Sequence, residues 1–245
     1  MAIYTRKGDD GTTDLISGRA EKDALRISTI GTLDELNSIL GISRAKTSLQ
    51  NVGEAIKYLQ GAIFDISASI VGNEKIKIPE AKNLEEVIDE IEKMLPPLTN
   101  FILPGGHEGA AYLHHARSTC RRVERLVVAL NKREGIDKNI ITFINRTSDF
   151  LFILARYVNN FYMIQEVTWD SEGVHVPEEE AKEEKEMVAE NQITVEEAVE
   201  AVETGEDPSE KNSQEVSLPP INEVKKAKKK AKKGNEEQKE EVAAT

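Results

Sequence analysis

The 245-residue chain holds one cysteine, four histidines and a single tryptophan, and no apolar run reaches the ~18 residues of a membrane-spanning helix. A lone Cys120 excludes an internal disulfide framework and Cys-rich zinc sites, in keeping with a reducing compartment. His107, His114, His115 and His175 form no H-E-x-x-H or other i, i+4 pair, so no protein-ligated transition metal is expected. The start of the chain lacks the charged-then-apolar layout of a signal peptide. A soluble, cytoplasmic protein is the expectation, with no membrane contact.

Aromatic residues are absent after Trp169. From residue 178 to the end there are 20 acidic and 11 basic side chains, a net of −9, which leaves −3 of the formal −12 for everything before. A segment so charged and so poor in large apolar groups cannot offset its ordering entropy, whereas a remainder of ~175 residues buries about 70% of its surface. The expectation is one folded domain over 1–177 and a low-complexity, mostly disordered charged tail over 178–245. The nearly neutral body lacks the basic face that nucleic acid requires, so no nucleic-acid partner is expected for it. The tail stays open on that point: seven lysines fall within 225–233, which suits a solvated tail or a salt-sensitive contact with RNA or an acidic surface. Thr194 and Glu197 could form a capping box before a marginal helix over 194–203.

The first 25 residues carry three glycines with scattered Asp and Thr and no sustained period, which reads as a loop pinned by a short strand at Ile3-Tyr4. From Arg26 to about Phe161 the apolar spacings are helical. One segment runs Ile27, Ile30, Leu33, Leu36, Leu40, and a second runs Val52, Ile56, Leu59, Ile63, Ile66, Ile70. A third carries Leu84, Ile88, Ile91 and Leu95 and stops at Pro96-Pro97, where the amide donor is missing. After Pro104-Gly105-Gly106 a fourth repeats Leu113, Ala116, Cys120, Val123, Val127, Leu130, and a fifth gives Ile140, Ile144, Thr147, Leu151, Leu154, Val158, Phe161. Steps of three and four put one stripe on each helix toward its neighbours. The fold class is all-α, an antiparallel bundle of five helices. No strand alternates with helix between them, so the parallel sheet of Rossmann and P-loop proteins is excluded.

Three places break the helical pattern. Residues 4–13, Y-T-R-K-G-D-D-G-T-T, combine glycines, hydroxyls and two cations, a composition that suits an anion-binding nest or a plain surface turn. On the fourth helix, Arg117, Arg121, Glu124 and Arg125 share one face beside the apolar seam. Guanidiniums so arranged repel one another unless an anion or carboxylate meets them. They read as a polyphosphate site or as a solvated face with Glu124 as internal partner. Third, Asn145-Arg146-Thr147-Ser148-Asp149 lies between flanks that are apolar around the whole helix. That helix should be central, and the polar groups should be either a structural network or the wall of a ligand pocket, with Asn145, Asp149 and Phe152 on one stripe.

Five segments together resemble the PduO-type ATP:corrinoid adenosyltransferases, in order and over roughly residues 1–170. They are the opening I-Y-T-R-K-G-D-D-G-T-T, the run G-T-L-D-E-L-N from Gly31, F-I-L-P-G-G from Phe101, the R-x-x-x-R-R-x-x-R run ending at Arg125, and I-N-R-T-S-D-F from Ile144. The resemblance implies a ferritin-like, five-helix homotrimer that moves the 5′-deoxyadenosyl group of ATP to the cobalt of cob(I)alamin and releases triphosphate. It implies that Thr5, Arg6, Lys7, Gly8, Thr13 and Asp14 wrap ATP, with Lys22 on a phosphate. Arg121, Arg122, Glu124 and Arg125 would meet the phosphates and their Mg²⁺, with Glu124 nearest the metal, and Asn145 would hold the nucleoside. Arg121, Arg125 and Phe101 would carry catalysis. Asp34 and Arg117 would form a salt bridge across the subunit boundary. Phe101 would lie below the corrin ring and displace the lower axial ligand, with Phe152 lining the same pocket. An external reductase is implied, and an adenosylcobalamin-dependent mutase is a possible recipient. The chain departs from the family pattern mildly: Arg6-Lys7 keeps the usual charge, and Thr147 stands where Leu is common, its hydroxyl free to bond the preceding turn. Two alternatives to the enzyme remain at this level, a corrinoid carrier and a structural bundle whose arginines join subunits.

Overall fold

A computed structural model describes residues 4–16, 18–73 and 75–177. The tail, with its capping box and lysine run, lies outside the described residues, as does Ile3 of the strand expected at Ile3-Tyr4; Tyr4 itself is not in a strand. Two compact units divide the described residues. The helical one comprises 4–97 and Pro104–Ile164, and the smaller one Leu98–Leu103 with 165–177.

Five helices build the first unit: α1 Leu25–Lys46, α2 Gln50–Ile70, α3 Lys82–Glu92, α4 Glu108–Glu134 and α5 Lys138–Phe161. The expected stripes form the core. Leu33, Leu36 and Leu40 of α1, Ile56 through Ile70 of α2 at their four-three spacing, and Leu113, Cys120, Val123, Val127 and Leu130 of α4 are all buried. Helix α5 is buried around most of its girth, with Phe143, Phe150 and Ile153 covered as well as the expected stripe from Ile140 to Val158, and it packs on α2, α3 and α4. Three stripes shift at their ends: Ile27 and Ile30 of α1, Ile88 of α3 and Phe161 of α5 are half-buried, with Val87 taking the place of Ile88. The third helix ends at Glu92, short of the expected Leu95. Lys93–Leu95 continue as a turn in which Met94 donates to the Ile91 carbonyl and Leu95 to that of Glu92, because the residue before a proline avoids the helical region.

The N-terminal stretch is a hairpin where the sequence suggested a loop. Strands β1 (Thr12–Leu15) and β2 (Gly18–Glu21) pair antiparallel with Thr13 opposite Ala20, and Gly18 turns the chain at φ +128°. These strands are short and polar, so no alternation announces them. In the second unit, β3 (Phe101–Ile102), β4 (Thr168–Asp170) and β5 (Gly173–His175) form an antiparallel sheet in that order.

Local chemistry sets where α4 and α5 begin. His107 caps α4, its Nδ1 accepting from Gly109 N–H at 3.0 Å, and its ring stacks on Tyr162 at 4.1 Å. Asp137 caps α5 through Asn139 N–H at 2.9 Å. Ahead of α4, Gly106 takes φ +91° against the buried amide of Asn159, which donates to the Gly105 carbonyl (3.1 Å) and accepts from His107 N–H (3.0 Å). A Cβ at Gly106 would sit 2.3 Å from that amide oxygen, whereas one at Gly11, φ +87°, meets nothing within 4 Å. Gly106→Ala is therefore expected to lower the melting temperature far more than Gly11→Ala. Asn159→Ala should cost about 1–3 kcal/mol in denaturant unfolding by stranding two backbone groups.

Candidate functional site

The N-terminal hairpin is tied together by a residue that sequence reasoning missed. Arg19, on β2, donates to Thr12 Oγ1 at 2.5 Å, to both oxygens of Asp10 at 3.1 and 3.0 Å, and to the Lys7 carbonyl, and it lies 3.7 Å from Asp14. The Asp10 carboxyl is held below its ordinary value, chiefly by the Thr12 hydroxyl and amide, with Arg19 adding to the effect. Lys22 donates from Nζ to the Gly8 carbonyl at 2.6 Å, and Gly11 N–H closes a turn on the same oxygen. Thr5 accepts from Lys7 N–H at 3.4 Å, and Arg6, at φ +59°, lies over the Tyr4 ring. The structure thus brings Lys7, Gly8, Asp14 and Lys22 into one network, while Thr13 is half-buried within β1. The opposite charges at Arg19 and Asp10 were the available signal for this network.

On α4 the arginines divide by face. Arg121 and Arg125 stay on the exposed side, and Arg125 donates to the Arg121 carbonyl one turn back. Glu124 accepts from Asn145 Nδ2 of α5 at 2.9 Å, which joins two expected site residues across two helices. Arg122 points elsewhere and pairs with Glu35 of α1 at 2.5 Å. Asp34, next to Glu35, is exposed.

The rest of the I-N-R-T-S-D-F segment serves the bundle. Arg146 reaches Glu85 of α3 (3.1 Å) and Asp149 (2.6 Å), Ser148 donates to the Asn145 carbonyl, and Thr147 donates to the Phe143 carbonyl at 2.8 Å, the back-bond its position allowed. Burial pushes the Cys120 thiol up, and its Sγ donates to the Ile144 carbonyl, so it is an inert core group.

Between α4 and α5, His114, which the sequence did not single out, joins two expected residues, Arg117 and Phe152. His114, 3% exposed, meets the Phe152 ring edge-on at 6.0 Å, and the Arg117 guanidinium lies 5.9 Å from the same ring. Both ring nitrogens of His114 and Nε of Arg117 are buried without a hydrogen-bond partner among the described residues. Burial first, and Arg121 second, lower the affinity of Arg117 for its proton, and burial with help from Arg117 pushes the His114 pKa down to about 4.

The profile of the family described as cobalamin adenosyltransferase matches residues 3–158. The chain belongs to that family. It is 38% identical over 183 residues to the corrinoid adenosyltransferase of Bacillus subtilis (strain 168), covering 71% of this chain and 95% of that protein. It is also 40% identical over 174 residues to the cobalamin adenosyltransferase of Cupriavidus metallidurans, covering 69% and 95%. Among solved structures, a phenylalanine-to-alanine variant of the PduO-type ATP:corrinoid adenosyltransferase from Lactobacillus reuteri, complexed with cobalamin and ATP, aligns with a TM-score of 0.66 at 31% identity, over 69% of this chain and all of that one. Among the described residues of this adenosyltransferase-family chain, no helix is long and apolar enough to cross a membrane.

The folded pKa of His114 lies below the ordinary value of 6.5. The unfolded chain therefore takes up the proton first on acidification, and stability falls as pH drops from about 6.5 toward about 4. Between pH 7 and pH 4.5 the wild-type chain is expected to lose ~2 kcal/mol more than His114→Gln in denaturant unfolding. Equal losses in the two proteins would contradict this assignment.

Proposed function

We propose that this chain transfers the 5′-deoxyadenosyl group of ATP to the cobalt of a reduced corrinoid, giving adenosylcobalamin and triphosphate. The observation that carries the reading is the face of α4 on which Arg121 and Arg125 stand beside Glu124, itself held by Asn145 of α5. Cations that form no ion pair among the described residues, next to an amide, suit a nucleoside polyphosphate. On this reading Arg121 and Arg125 meet the phosphates, Asn145 the nucleoside, and the loop from Thr5 to Gly8 with Thr13, Asp14 and Lys22 wraps the nucleotide. Arg122, paired with Glu35, takes a supporting place.

The Co(I) electron pair forms the Co–C5′ bond while the C5′–O bond breaks and its electrons leave on triphosphate. Negative charge grows on the bridging oxygen, and preorganised guanidiniums there lower the barrier. Holding C5′ toward cobalt is a positioning task for Asn145 and the loop. No general base is required. Phe101 is assigned to the lower face of the corrin, where an apolar ring cannot coordinate cobalt, leaves the metal four-coordinate and makes cob(II)alamin easier to reduce. Phe152 is assigned to the corrinoid as well.

Among the described residues no three His, Cys, Asp or Glu side chains could hold a metal together. Glu124 is the carboxylate on the arginine face, and one carboxylate suits Mg²⁺ that is bound mainly by phosphate oxygens and water. Such an ion would neutralise phosphate charge.

A homotrimer is part of the proposal, with Asp34 of one subunit meeting Arg117 of the next. The exposed Asp34 and the half-buried Arg117, which forms no ion pair among the described residues, support it. We further propose a cytoplasmic location, an external reductase as electron donor and delivery of the product to a dependent mutase. The tail from 178 stands outside the catalytic domain on this reading.

Purified protein with ATP, Mg²⁺, cob(II)alamin and a reductant is expected to yield adenosylcobalamin and triphosphate, and Arg121→Ala to lower kcat/KM by about 10²–10³. Release of pyrophosphate or phosphate in place of triphosphate would overturn the reaction. Asp34→Arg is expected to dissociate the trimer by light scattering, and truncation after residue 177 to leave kcat unchanged.

A further inference from the structure

The small sheet carries an apolar row that its register defines. Phe101 of β3 stands opposite Trp169 of β4, and Trp169 stands opposite Val174 of β5. Side chains alternate across a pleated sheet, so these three share one face, while Ile102, Thr168 and His175 form the neighbouring row on the other. The first row is exposed to an extent unusual for such side chains: Phe101 76%, Trp169 45% and Val174 54%. Moreover β3 is two residues long and lies at the edge of the sheet, so β4 is its sole neighbour there. Trp169, the chain's single tryptophan, is therefore the cross-strand partner of Phe101, with ring centroids 6.2 Å apart and planes tilted by 51°.

A phenyl ring on an exposed edge strand can turn about two side-chain torsions. Cross-strand aromatic pairing restricts that freedom, with an effect on populations of roughly two- to tenfold. We propose that Trp169 is a positioning residue for Phe101: it fixes the plane of the Phe101 ring and so governs how completely the lower cobalt ligand is excluded when a corrinoid binds. Val174 extends the same wall beyond Trp169. The inference rests on the assignment of Phe101 to the corrin's lower face made under the proposed function.

The test compares two corrinoids on the ATP-loaded protein: cob(II)alamin, whose lower base must be displaced, and cob(II)inamide, which has no tethered base. Trp169→Ala is expected to cut the four-coordinate fraction of bound cob(II)alamin, read by electron paramagnetic resonance, and kcat with cobalamin, each severalfold. Turnover of cobinamide and the Kd for ATP should be unchanged. Trp169→Phe should restore most of the signature. Trp169→Leu, which keeps apolar bulk in the sheet, should show the same selective loss as Trp169→Ala. A wild-type four-coordinate yield in both Trp169→Ala and Trp169→Leu, or equal losses on the two corrinoids, overturns the proposal and marks Trp169 as structural. Failure of the wild-type chain to adenosylate either corrinoid overturns the parent reading as well, a result distinct from either of those.

Discussion

Mutual repulsion among guanidiniums on one helix face is the constraint around which the candidate site is organised. Arg117, Arg121 and Arg125 are set one turn apart on α4, and the opposite flank of that helix is locked into the core by Leu113, Cys120, Val123, Val127 and Leu130. The seam fixes the backbone from which the cations project. Among the described residues no carboxylate forms an ion pair with them: Glu124 is engaged by Asn145, and Glu35 is engaged by Arg122. Electrostatic strain of this kind favours an arriving polyanion over water. Repulsion reaches Arg117 too: burial is the first cause of its lowered proton affinity, and the Arg121 charge is the second.

The hairpin before α1 answers that face with a different economy of charge. Its backbone is a short antiparallel pair, and one side chain, Arg19, ties it to the preceding loop by holding Thr12, Asp10 and the Lys7 carbonyl at once. A loop fixed by charge-assisted hydrogen bonds is more ordered than its glycine content suggests, yet it remains sensitive to salt because Arg19 and Asp10 are both exposed. The helical scaffold holds the permanent features of the candidate site, and the hairpin holds the adjustable ones.

How much of this was legible follows from which signals leave a period in the sequence. The five helices were, because a buried stripe must recur every three or four residues; α4 matched its expected stripe at every position, and α5 was correctly read as central. The resemblance set Glu124 and Asn145 in one nucleotide site, but neither motif announced that the two side chains bond each other. Short polar strands escaped, since β1, β2 and the three-stranded sheet carry too few residues to establish alternation. Side chains that act through a distant partner escaped too. Asn159 reads as one more polar residue near a helix end, and only the fold reveals that Gly105, Gly106 and His107 depend on it. His114 is similar: nothing local marks a histidine that will be buried against Phe152.

The contact between Lys22 and the Gly8 carbonyl anchors the hairpin's ammonium to its own loop. An ammonium has three N–H donors and the carbonyl occupies one, so Lys22 is held at 2.6 Å yet keeps two donors for other partners. A lysine on a free four-carbon stem would surrender its rotamer freedom at the moment of any encounter. Here the fold has already fixed the side chain, and its charge stands oriented beforehand.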